Sequence, residues 1–124
     1  MSRENTSLIN MIDQNKLEES FQMIGLIRIP HYIDLFMEKN NNFQEKITKH
    51  FKKNDYDSLI NLLHKTRGSF SIFHPDKVTI IFAQVEDILA SEPHKFDTKT
   101  LNNIIVIYKD FCEELIITRK KYVL

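Results

Sequence analysis

Glycine and proline are nearly missing from this chain, with 2 and 3 copies in 124 residues. A β-rich fold of this length reverses direction many times and needs turn residues to do so, so their scarcity argues for helices. A single cysteine, Cys112, cannot form an intrachain disulfide, which gives a secreted disulfide scaffold no support and suits a reducing compartment. Seventeen basic residues balance seventeen acidic ones. That balance removes the broad positive field typical of nucleic-acid and anionic-membrane binders, and neither partner is expected. Long apolar runs are also absent: the longest, Ile104 to Tyr108, is too short to span a bilayer, and the N-terminal stretch leads into no segment of signal-peptide length. A soluble, cytoplasmic protein is the expectation.

What is present is a globular composition, 42% hydrophobic and 27% charged, in a length suited to one domain. Apolar residues recur at helical spacing almost from end to end. The spacing predicts a short first helix over about 15–24, stopped by Gly25. Pro30 opens a second helix, whose stripe of Ile33, Phe36, Met37, Phe43, Ile47 and Phe51 is read as continuous through Asn40-Asn41-Asn42. Asn54 and Asp55 cap a third helix over 56–73, and His74-Pro75-Asp76 punctuates the chain. A fourth helix carries Val78 to Leu89 and ends near Pro93. Asp97 or Thr98 caps a fifth, with Leu101, Ile104, Tyr108, Phe111 and Leu115 in its stripe and Arg119, Lys120 and Lys121 in its last turn. The expected architecture is all-α: an up-and-down antiparallel four-helix bundle over 15–124, with a short additional N-terminal helix and a mobile segment at 1–14.

The third helix carries the chemistry. At about 100° per residue, Leu59, Leu62, Leu63, Thr66, Phe70 and Phe73 share one core-facing arc. His64 lies roughly 150° from the centre of that arc, on an outer face with Ile60, Arg67 and Ser71. Gly68, four residues on, costs about 0.8–1 kcal/mol relative to alanine inside a helix. It also strips the surface beside His64 of a side chain, which lets another molecule approach. Arg67 offers a fork of donors matched to phosphate oxygens, and Lys65 a second positive charge, so both are candidate phosphate-stabilising residues. Gly68, Ile60 and Ser71 are candidate docking positions, and Tyr32 and Leu35 with Ile60 could form an apolar patch. A neutral imidazole is a competent nucleophile near pH 7, so His64 is the candidate phospho-acceptor.

The segment Leu62-Leu63-His64-Lys65-Thr66-Arg67-Gly68-Ser69-Phe70 resembles the signature of histidine-containing phosphotransfer (HPt) domains of two-component phosphorelays. The stretch from Leu35 through Asp57 is similar to the family's second helix and the turn into its histidine helix. The resemblance covers about residues 15 to 120. It implies that His64 accepts a phosphoryl group from the aspartate of one receiver domain and passes it to another. It implies too that Arg67 stabilises the group and that Gly68 admits the receiver. Receiver domains of a hybrid histidine kinase and of a response regulator are the implied partners, with a monomeric protein between them. No bound cofactor or metal is expected, and the Mg²⁺ that phosphoryl transfer needs would come from the receiver.

A residue on the family's following helix often hydrogen-bonds near the active imidazole, and Gln84 and Glu86 are the candidates. Two positions depart from the pattern: Thr66 replaces a common aliphatic residue, and His74 stands where glycine is frequent. No nucleotide-binding loop accompanies these residues, so no kinase activity of its own is expected. The rival readings are the phospho-acceptor and dimerisation domain of a sensor histidine kinase, and a helical adaptor without phosphotransfer. In the first, an acid resembling the kinase box would replace Lys65 and a threonine would replace Gly68. His31, His50, His74 and His94 do not pair at ligand spacing, so a zinc site is not expected.

Overall fold

The computed structural model describes residues 10–123. These are helical, with no strand among them: α1 (Gln14–Phe21), α2 (Ile29–Lys39), α3 (Phe43–Lys52), α4 (Tyr56–Phe70), α5 (Asp76–Ser91) and α6 (Thr98–Lys121). Short 3-10 turns at Leu26–Arg28, Ser71–Phe73 and Pro93–Lys95 complete the connections. No helix among the described residues is long and apolar enough to cross a membrane.

Local chemistry fixes most helix starts. Asp13, Asp55 and Asp97 each turn a carboxylate back onto the amide three residues on, at 3.1, 3.2 and 2.9 Å. Each bond satisfies an amide that a helix start otherwise leaves unpaired. Pro30 sits in the first turn of α2, where a missing amide hydrogen costs nothing.

The single second helix expected from the sequence is two helices. Asn40 ends α2 at φ −113° and ψ 20°, with its amide and its Nδ2 both bonded to the Phe36 carbonyl at 3.0 Å. Asparagine competes for the backbone in this way, and three in succession halt propagation. The apolar stripe still continues, because Phe36 and Phe43 both reach the core. The third helix ends earlier than expected, at Phe70, and the chain tightens into a 3-10 turn that keeps Phe73 buried. Of the expected core arc, Leu62 alone is only half-buried.

The packing contacts close a ring: α4 lies mainly along α5, α5 and α2 against α6, and α3 against both α4 and α6. Inside it, the Phe70 ring meets Phe82, Phe111 and Phe36 edge-on at 5.1, 5.2 and 6.4 Å between centroids. Burial of several such rings is the largest favourable contribution available to a core of this size.

Residues 1–9 of the expected mobile segment lie outside the described residues. Two residues of its remainder join the core: Met11 and Ile12 are buried, and their amides bond to the carboxylate of Glu114 on α6 at 2.8 and 3.0 Å.

Candidate functional site

His64 stands on the outward side of α4, midway along the helix, with 66% of its side chain exposed. Core packing of Leu59, Leu63, Thr66 and Phe70 holds the helix so that this position cannot turn inward. Gly68 lies one turn on, and a Cβ built there would meet no atom within 4 Å. The surface beside the imidazole is therefore open.

Glu86 comes to the site from α5. Its Oε1 is 3.2 Å from His64 Nδ1, while Arg67 donates to both of its oxygens, from Nε at 2.7 Å and from Nη2 at 3.0 Å. The carboxylate is mostly covered, with 11% of its side chain exposed. Burial, the largest single influence, pushes its pKa up, but hydrogen bonds from Arg67 and His64 and their charges together outweigh it, so Glu86 ionises more readily than an ordinary glutamate. Arg67 is held correspondingly more firmly protonated by its hydrogen bond to Glu86. Gln84 is exposed and does not join the cluster. Two residues apart on a helix means about 200° apart in direction, so only one of the pair can face α4.

Nδ1 of His64 also lies 3.0 Å from Arg67 Nη2. It cannot donate to Glu86 and accept from Arg67 at once. With the proton on Nδ1, the carboxylate accepts it and Nε2 presents a free lone pair outward; with the proton on Nε2, Nδ1 accepts from the guanidinium. Among the described residues, none hydrogen-bonds Nε2.

The remaining predicted residues divide by phase. Ser71 is exposed and folds its hydroxyl onto the Gly68 carbonyl at 3.0 Å, and Ile60 is half-buried. Tyr32 and Leu35 line a shallow groove with Ser69 and Ile72 that does not include Ile60. Lys65 lies on another flank of α4. It points about 100° round the helix from His64 and lines a groove with Lys39, Lys46 and Ser69. His74 adopts a left-handed backbone, φ 55° and ψ 50°. Its ring meets Ser20 Oγ at 2.6 Å and its carbonyl accepts the Asp13 amide at 3.1 Å.

The groove lysines Lys39 and Lys46 and the anchoring Glu114 were not singled out from the sequence. The Asn40–Asn42 run was the available signal for the first two, since a break there faces the end of one helix and the start of the next toward α4. No family model, curated protein or solved structure matches the chain.

Proposed function

We propose that the chain belongs to the class of up-and-down antiparallel four-helix bundles, with an additional N-terminal helix, that display one reactive histidine. Within that class it is a histidine-containing phosphotransfer protein: a cytoplasmic monomer that carries a phosphoryl group between two receiver domains of a phosphorelay. The observation that carries this is an exposed imidazole whose Nδ1 faces a mostly covered carboxylate, next to a glycine with open space over it.

The chemistry follows from that geometry. With its Nδ1 proton directed at Glu86, His64 attacks the phosphorus of the receiver's acyl phosphate through the Nε2 lone pair. A P–N bond forms, the P–O bond to the aspartate breaks, and the aspartate leaves as a carboxylate. The ring keeps its Nδ1 proton and becomes a positively charged phospho-imidazolium, which the Glu86 carboxylate stabilises. The same ring is a good leaving group for the return step onto a second receiver. Arg67, whose Nη2 lies 3.0 Å from Nδ1, is assigned to the incoming oxygens, and the Mg²⁺ to the receiver.

His74 also supports the reading. It stands where the resembled family often has glycine, and its backbone takes the left-handed conformation that glycine adopts freely.

The test is incubation with a phosphorylated receiver domain and Mg²⁺, followed by intact mass measurement of wild type and His64→Gln. One phosphoryl group on wild type and none on the variant is the expected result. Label on both proteins defeats the assignment.

A further inference from the structure

The break at Asn40–Asn42 has a product of its own. It leaves Lys39 at the end of α2 and Lys46 in the first turn of α3, both facing Lys65 on α4. The three lysines, with Asn40, Leu62, Thr66 and Ser69, line a groove of about 490 Å³ that contains no acidic residue. Among the described residues, none of the three is in an ion pair. Asn40 Nδ2 reaches Ser69 Oγ at 3.5 Å across the floor, and Tyr108 bonds the Asn40 carbonyl at 3.3 Å, so the bend is tied on two sides.

The groove borders the His64 ledge. Going round α4 from His64, Gly68 comes at about 40°, Lys65 at about 100° and Ser69 at about 140°. A body that covers His64 and crosses the bare Gly68 surface therefore meets the lysines next. On the opposite flank, Arg67 is already neutralised by Glu86. In a chain with no net charge, the groove is a cationic region near the histidine that can attract a partner.

We infer that this groove seats an acidic surface element of the receiver domain, with Lys39, Lys46 and Lys65 drawing the donor in and fixing its orientation over His64. The inference rests on the phosphotransfer reading. Unpaired cations of this kind act chiefly on the association rate, and their effect fades as salt shortens the screening length. An acidic protein surface is favoured over a nucleic acid or lipid because the three lysines converge on one groove near the reactive residue in a chain with no net charge.

The test compares wild type with the Lys39→Glu/Lys46→Glu double variant, using receiver domains loaded with acetyl phosphate at low and high ionic strength. Direct labelling of His64 by phosphoramidate, a small donor that needs no docking, runs in parallel. Phosphoramidate labelling is expected to be equal, while receiver-driven kcat/KM falls about tenfold at low salt and the gap narrows at high salt. Equal receiver-driven transfer in the two proteins overturns the inference and leaves the phosphotransfer reading standing. Phosphoramidate labelling of wild type without transfer from any receiver brings down both. Lysine-dependent retention of an oligonucleotide or an anionic vesicle, with transfer unchanged, also overturns it. If the double variant loses its helical circular dichroism, Lys39→Gln/Lys46→Gln replaces it; a smaller, salt-sensitive loss supports the inference and no loss overturns it.

Discussion

Glu86 and Arg67 are joined by two hydrogen bonds, so the guanidinium beside His64 is compensated before any phosphoryl group arrives. On the phosphotransfer reading, an incoming dianion competes with Glu86 for Arg67 and meets a fixed negative charge in doing so.

Replacing Glu86 by glutamine removes that charge and frees Arg67. Glutamine no longer stabilises the cationic phospho-imidazolium, the form from which the ring leaves most readily, so phosphorylated Glu86→Gln is expected to lose its label more slowly, by about fivefold if that stabilisation is worth about 1 kcal/mol. Arg67→Ala is expected to shift the other way, toward a shorter-lived phosphohistidine or slower loading. Time courses of intact mass after removal of the donor check both.

At Gly68, stability and docking should separate. Alanine there meets no atom and restores helix propensity, so Gly68→Ala is expected to raise stability by about 0.8–1 kcal/mol. Gly68→Gln gains most of the same propensity but puts a long side chain on the proposed docking surface. It is expected to fold at least as well as wild type while losing tenfold or more in transfer from a receiver, with phosphoramidate labelling intact. Urea titration and transfer kinetics together check this, and unchanged transfer would remove the docking role of Gly68.

The two covered glutamates should give opposite pH dependences. Glu86 is held below the ordinary value of 4.5, so the stability it contributes is complete above that pH and is lost as pH falls through its folded value. For Glu114, burial is the main cause of a raised pKa, only partly offset by the Ile12 and Met11 amides. Its ionisation therefore costs stability as pH rises from 4.5 through the higher folded value. Urea unfolding at neutral pH and at about pH 4 is expected to show the advantage of wild type over Glu86→Gln shrinking in acid. Against Glu114→Gln, wild type is expected to gain in acid.

His74 holds its left-handed backbone with a bond to Ser20. His74→Gly relieves a strain of about 1–2 kcal/mol and forfeits one exposed hydrogen bond, so its stability should stay within about 1 kcal/mol of wild type. His74→Val, β-branched in a conformation such residues rarely adopt, is expected to lose about 2 kcal/mol. Thermal unfolding of the two variants checks the ordering.

Much of the His64 ledge was legible in the sequence, because helical phase alone puts His64 and Gly68 outside and Leu63 and Phe70 inside. Cross-helix partners were not. Which of Gln84 and Glu86 faces His64 depends on the register of α5 against α4, which no single helix encodes. Neighbouring residues on a helix point about 100° apart, so Lys65, next to His64 in the chain, lines a groove with Lys39 and Lys46 that single-helix phase could not reveal. The break at Asn40 was masked by an apolar stripe that resumes on the far side of it. Glu114 sits between Phe111 and Leu115 on the buried side of α6, and an acid in that position was a readable sign of a buried backbone partner.

The interruption between Lys39 and Phe43 also affects how this sequence tolerates insertions and deletions. A residue added to the 24-residue α6 would rotate everything downstream by about 100° and pull Phe111 and Leu115 off the core. The same insertion at Asn41 falls between two helices that each seat their own aromatic anchor, Phe36 before and Phe43 after. Length variation among descendants of this chain should therefore accumulate at the asparagines and spare the long C-terminal helix.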